Sequence, residues 1–212
     1  MHSCTHPSLV KEDSHILLNE RCVSVLPSNT NIFMSEAHHP VYKCIVADPP
    51  WKENGGGKIK RGADKHYPLL STEEISKLNI PAIADKDCWL YLWVTNNFLK
   101  EGIQVMESWG FRYINNIAWI KDRFGLGYYL RGNHELCLFG VKGNLKPRVR
   151  NIPSAFETPR RKHSQKPDKF FDLVETMSYG PRIEVFSRNQ RDGWDVFGNE
   201  VSNSASFLNF SK

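Results

Sequence analysis

Seven apolar residues in unbroken succession, Cys88-Trp89-Leu90-Tyr91-Leu92-Trp93-Val94, constrain this chain more than any other stretch. The run is too short to cross a bilayer, and it lacks the alternation of a strand with one wetted face. A strand of this kind must be buried on both sides, which requires further layers above and below it. Strand-length runs recur at Tyr42–Ala47, Arg112–Ile120, Glu135–Val141 and Arg182–Phe186, with a short one at Trp194–Phe197. Helical signals fall between them. Ser71-Thr72-Glu73-Glu74 has the form of a capping box and opens a helix to about Leu78. Asn96 or Asn97 can cap a second helix with Leu99, Ile103 and Met106 on one face, which Trp109-Gly110 ends with glycine just past its last turn. Pro167 can occupy the first position of a third helix running through Met177. Its stripe is Phe170, Leu173, Val174 and Met177, and Gly180 stops it. Strands alternating with helices predict an α/β fold, a mostly parallel sheet with helices on both faces.

In such a sheet, ligands sit beyond the carboxyl ends of the strands. The residues that leave the first strand are therefore informative. Ala47 leads straight into Asp48-Pro49-Pro50-Trp51. Taken alone, the tetrapeptide reads first as a stiff turn. Its chemistry allows more. It sets one carboxylate and a backbone carbonyl beside a flat ring, and two prolines fix the backbone and remove two donors. Two such acceptors can draw the hydrogens of a nucleobase amino group and leave its lone pair facing an electrophile. The next residues, 52–66, are Gly-rich and basic, as in a mobile loop. No G-x-G-x-x-G or P-loop pattern occurs, which disfavours dinucleotide and nucleoside-triphosphate chemistry.

Charge adds a second pointer. The net charge is +5, and Lys142 to Lys169 holds nine basic residues against two acids, so the rest of the chain is slightly acidic. Arg160, Arg161 and Lys162 stand together in that stretch. A solvated loop would account for it; contact with a phosphate backbone accounts for it more sharply. Five cysteines, with no C-x-x-C pair, read as reduced, mostly buried thiols of an intracellular protein. The N-terminus shows no secretion pattern, no run is apolar enough for a membrane span, and the terminal His and Cys residues are too few and too close for a closed metal site. Residues 1–40 read as an irregular lead-in with an apolar patch at Ile16-Leu17-Leu18, 41–200 as one domain and 201–212 as a tail. Trp89, Trp93, Trp109 and Trp119 read as core, and Glu184 as either a buried hydrogen-bonding acid or an edge residue.

Several stretches in order resemble a known family, the N6-adenine methyltransferases grouped with the seventy-kilodalton subunit of the eukaryotic mRNA adenosine methyltransferase. They include Ile45–Trp51, Leu78–Pro81, Leu90–Thr95, Trp109–Phe111, Ala118–Lys121, His134–Leu138, Gly140–Gly143, His163–Pro167 and Gly193–Glu200. The compact length is closer to the short bacterial and phage members. The resemblance implies a Rossmann-like fold, S-adenosylmethionine as methyl donor without a metal, and adenine N6 as acceptor. It implies that Asp48 and the Pro49 carbonyl hold the amino group, with Pro50 stiffening the turn and Trp51 touching the flipped base. Lys166 would pair with the donor's methionine carboxylate. Arg188, Asn199 and Glu200 would lie near the donor ribose, with Asp48 also beside the donor. Tyr67 and the Gly127-Tyr128-Tyr129-Leu130 segment match loops that gate the base pocket. DNA is the favoured substrate and RNA the alternative. The chain would act alone, as a homodimer, or with a related subunit, in the cytoplasm of a prokaryote or phage host or in a eukaryotic nucleus. A catalytically silent nucleic-acid-binding subunit is the rival reading. Retention of Asp48, Trp51, Lys166 and Asn199 argues against it.

Overall fold

In the computed structural model, the residues described are 41–52, 69–125, 129–161, 165–198 and 201–202. The lead-in 1–40, most of the loop 52–66 and most of the tail lie outside them. The described chain forms strand β1 (Tyr42–Ala47), helix α1 (Thr72–Ser76), strand β2 (Ala84–Val94), helix α2 (Leu99–Ser108), then β3 (Arg112–Ile120), β4 (His134–Lys142) and β5 (Ala155–Glu157). Helix α3 (Asp168–Met177), β6 (Arg182–Val185) and β7 (Asp195–Phe197) complete it.

The strands make one sheet in the order β5-β3-β4-β2-β1-β6-β7. β1 pairs in parallel with both β2 and β6, β6 with β7, and β3 with β5, whereas β4 runs antiparallel to β2 and β3. Every strand but β4 therefore points the same way. The chain moves outward from β1 on one side, then crosses back to add β6 and β7 on the other. The strand order thus reverses at β1, and Asp48 stands at its carboxyl end.

Alternation along the strands divides the interior into two cores. Ile45, Ala47, Leu90 and Leu92 face α1 and α2, packing with Ile75, Val105 and Met106. Cys44, Val46, Trp89, Tyr91 and Trp93 face α3, packing with Phe170, Phe171 and Val174. Helices cover both faces, as the uniformly apolar β2 requires. All of Cys88–Val94 is buried, and Trp89, Trp93, Trp109 and Trp119 are core residues. Cys44, Cys88 and Cys137 are buried free thiols.

The helix ends explain most departures from the sequence reading. Ser71 and Glu74 close the expected capping box, but α1 is already capped at Lys77. Neither Asn96 nor Asn97 caps α2: residues 96–98 form a 3-10 turn, and α2 starts at Leu99 with no side-chain cap. Its buried face is Gly102, Val105 and Met106, with Leu99 exposed. The face is shifted because the helix approaches the sheet most closely at Gly102, where a Cβ would come within 2.5 Å of a Val94 methyl. The stop is as expected. Gly110 has φ +79°, and the amides of Gly110 and Phe111 bond the carbonyls of Glu107 and Met106 at 2.9 and 3.0 Å. Pro167 is the residue before α3 rather than its first, with extended backbone, and α3 ends at Ser178 in extended conformation, short of Gly180. β2 begins at Ala84, and β5 falls inside the stretch read as a basic loop.

Candidate active site

The turn after β1 is held rigidly by its own backbone. The Trp51 amide donates to the Pro49 carbonyl at 2.9 Å, and the Leu70 amide to the Pro50 carbonyl at 2.8 Å. Each proline carbonyl is thus already engaged once, leaving one lone pair on each. Trp51 is drawn inward: it is 8% exposed, donates its indole N–H to the Trp93 carbonyl at 3.0 Å, and stacks on Phe98 at 5.4 Å between ring centres. These contacts clamp the turn to the end of β2. Asp48 remains at the mouth with its side chain 23% exposed.

Three further charges line up with it. The Lys166 ammonium lies 2.9 Å from Asp48 and 3.2 Å from Glu135, and Glu135 also accepts a hydrogen bond from Lys121. The Lys166 Nζ sits 4.9 Å from the centre of the Trp93 ring, and that of Lys121 lies 4.8 Å from Trp119. Burial opposes the Lys166 charge, but Asp48 and Glu135 outweigh it and hold the ammonium's pKa above its ordinary value. Burial likewise works to raise Glu135, and Lys166 with Lys121 overcomes it, so the carboxyl titrates below the usual range. Two carboxylates and two ammonium ions thus form a charge-balanced row. Sequence reading gave Lys166 a carboxylate partner from the donor; the structure gives it two from the protein.

An open cleft of about 390 Å³, solvent included, lies against this row. Asp48, Lys166, Glu184, Phe171, Phe186 and Arg188 contribute to its walls. Glu184 is the hydrogen-bonding acid of the two readings, half-buried on a strand flanked by β1 and β7: it accepts the Ser187 hydroxyl at 2.8 Å. Burial pushes its carboxyl up to about 7, against the Ser187 hydrogen bond, while the Asp48 charge adds to the rise. Arg191 lies 3.8 Å over the Phe171 ring and pairs with Asp168 at 3.2 Å; Arg161 pairs with the other oxygen of Asp168.

Of the expected site residues, Asp48, Lys166 and Arg188 converge on the cleft. Arg161 is tied to Asp168, and Arg160 is exposed, its amide donating to Asp122 at 3.0 Å. Tyr129 is exposed. Tyr67, Tyr128, Lys162, Asn199 and Glu200 lie outside the described residues. Glu135, Lys121, Asp168 and Arg191 had no assigned role. Glu135 carried a signal: it is an acid at the head of an otherwise apolar strand. Among the described residues no cluster of three or more His, Cys, Asp or Glu could hold a metal, and no helix is long and apolar enough to cross a membrane.

The MT-A70 family profile matches residues 42–200. The type II methyltransferase M.MunI from Mycoplasma sp is 33% identical over 182 residues, covering 76% of this chain and 78% of that protein. The N(6)-adenosine-methyltransferase catalytic subunit METTL3 from Homo sapiens is 31% identical over 172 residues, covering 76% of this chain and 28% of that protein. The N(6)-adenosine-methyltransferase MT-A70-like protein of Arabidopsis thaliana is 31% identical over 171 residues, covering 74% and 23%. This chain therefore spans about a quarter of the length of these eukaryotic relatives and most of the bacterial one.

Proposed function

We propose that this chain, which belongs to the MT-A70 family of adenine-N6 methyltransferases, carries the methyl group of S-adenosylmethionine to N6 of adenine in DNA. The observation that carries the reading is Asp48: an acid at the carboxyl end of β1, where the strand order reverses, opening onto a cleft. DNA is preferred over RNA because the match to the bacterial type II enzyme runs through most of both chains, whereas the eukaryotic N(6)-adenosine enzymes are matched over a small share of their length.

The cleft suits the donor. S-adenosylmethionine has an ammonium, a carboxylate, a sulfonium, a ribose diol and a purine. The walls offer carboxylates (Asp48, Glu184), cations (Lys166, Arg188) and aromatic faces (Phe171, Phe186). When bound, the donor supplies an activated methyl, so no metal is required of the protein. The chain's part is to hold and to orient. Asp48 accepts one hydrogen of the adenine amino group and the free lone pair of the Pro49 carbonyl accepts the other, so the nitrogen lone pair faces the donor. The two-proline turn, its bonds to Trp51 and Leu70, and the Trp51 anchor fix both acceptors in advance of binding. Lys166 pairs with both Asp48 and Glu135, and it can shift its weight to Glu135 when the neutral amine arrives. By the same exchange it can take the donor's carboxylate.

The test is direct. The pure protein is incubated with methyl-labelled donor and separate DNA and RNA pools, which are then digested to nucleosides. Label in N6-methyldeoxyadenosine is the expected result. Label only in N6-methyladenosine would move the substrate to RNA, and label in neither would refute the reading.

A further inference from the structure

The segment 143–161, which leads from β4 through β5 towards α3, does not stay at one edge of the sheet. Because β4 runs backward, it delivers the chain to the edge away from Asp48, and the chain must come back to begin α3 beside the cleft. The return is made along α3. The Asn144 amide donates to the Asp87 carboxylate at 2.8 Å, and the Arg148 amide to the carbonyl of Met177, the last residue of α3, at 3.1 Å. Further on, the Ser154 carbonyl accepts the Ala118 amide at 2.9 Å, β5 pairs with β3, and Arg161 bonds Asp168, the first residue of α3. The segment is therefore a strap laid beside the whole helix. Its ends are set about 15 Å apart by the rise of a ten-residue helix.

The strap is a line of cations. Lys146, Arg148, Arg150, Arg160 and Arg161 are all exposed, and Glu157 is its single acid. On α3 beside it, the exposed Lys169 and Asp172 cancel, Asp168 is taken by Arg161 and Arg191, and Glu175 accepts the Trp194 indole. At the end away from the cleft, the Arg148 guanidinium donates to the Glu175 and Ser178 carbonyls at 3.2 and 3.4 Å and lies 5.8 Å from the centre of the Tyr179 ring. Arg182 already donates to the same two carbonyls, at 3.4 and 3.0 Å. Capping of the helix end accounts for these two arginines. It does not account for Lys146 and Arg150, which stand two residues to either side of Arg148. Among the described residues, no hydrogen bond or ion pair ties either side chain down.

We propose that the strap is a phosphate track: a DNA strand leaving the active site follows it along α3, with Arg160 and Arg161 near the target base and Lys146, Arg148 and Arg150 on phosphates about 15 Å further, roughly four or five nucleotides away. This rests on the reading of DNA as substrate and adds to it a direction and a second group of contacts. Cations in single file, with their anchors built into the fold and their heads left open, match the regular spacing of a phosphate backbone.

The experiment follows binding of a labelled pool of mixed-sequence duplexes, about 20 base pairs long, at a series of salt concentrations. It compares the wild type with Lys146→Gln/Arg150→Gln, whose replaced side chains hold nothing in the fold. The expected result is a log–log slope shallower by about 1.5 to 1.8, with kcat at saturating DNA within about twofold of wild type. A control, Lys77→Gln/Lys100→Gln, takes the same charge from α1 and α2 on the opposite face and should move the slope by less than about 0.5. An unchanged slope in the strap variant, where the wild type methylates DNA, overturns the track and spares the DNA reading. An equal drop in the control overturns it too, since overall charge is then the cause. Loss of kcat at saturating DNA likewise overturns it, because the two residues would then act on the site itself. A wild type that methylates no DNA sinks both.

Discussion

Replacing Glu184 with glutamine should change the pH dependence of folding in a calculable way. The carboxyl titrates at about 7 in the folded chain against an ordinary 4.5. Between those values the folded state binds more protons than the unfolded one, so stability falls as pH rises through this window and levels off above it. A shift of that size corresponds to about 3 kcal/mol, and residual solvent access to Glu184 trims it to about 2 kcal/mol between pH 5 and pH 8. Glutamine removes the titration but keeps an oxygen for the Ser187 hydroxyl. The variant's stability relative to the wild type should therefore rise by about 2 kcal/mol from pH 5 to pH 8. Urea unfolding at the two pH values measures this, and every other titrating group cancels in the double difference. A stability difference that is the same at both pH values, within about 0.5 kcal/mol, would show that Glu184 is solvated and ionised in the folded chain.

The remaining predictions concern the same edge of the sheet. Asp48→Ala should lower kcat by at least about 100-fold, measured with labelled donor at saturation, because an acceptor aimed at the reacting amine is lost. Lys166→Met leaves Asp48 and Glu135 without their shared cation and should destabilise the fold by about 3–5 kcal/mol, read as a drop in Tm. Neutralising Arg160, Arg161 and Lys162 together should flatten the salt dependence of DNA binding, by up to about 2.7 in the log–log slope if each meets a phosphate. An unchanged slope would remove them from the interface. Gly198→Ala would set a Cβ 2.0 Å from the Ser187 carbonyl oxygen, where backbone must move, and should cost about 3 kcal/mol or more in chemical denaturation.

What the sequence made legible was whatever depends on local pattern. The unbroken apolar β2, the box at Ser71 and Glu74, and the glycine at 110 each carry their cause within a few residues, and each appears as read. The face of α2 was read in part: Met106 is buried and Ile103 packs against the core, but Leu99 is exposed, and Gly102, where the helix touches the sheet, counts as nothing in a hydrophobic stripe. β5 was missed because Ala155–Glu157 is three residues long and owes its extended form to pairing with β3, which lies far away in the chain. At the site, Asp48 announced itself through its prolines. The anchoring of Trp51 was not legible locally, because its indole N–H bonds the carbonyl of Trp93, 42 residues away. Glu135 went without a role for a similar reason: nothing next to it in the sequence says which charges it will face.

That last omission stems from one reversed strand. In a wholly parallel sheet the amino end of every strand lies opposite the ligand edge. β4 alone runs backward, so its first residues arrive where β1, β2 and β3 end. The nine-residue strand spans about 27 Å, so a parallel β4 would carry Glu135 to the far side of the domain. The reversal lets an acid from β4 and the lysine just past β3 close a charge-balanced row with Asp48 and Lys166. Without Glu135, Lys166 would have Asp48 as its sole carboxylate partner and would hold it closed to any incoming amine. With Glu135 present, the lysine can release Asp48 and remain paired, as the proposed exchange with an incoming amine requires. The antiparallel strand is thus what turns a rigid acidic turn into a site that can exchange partners.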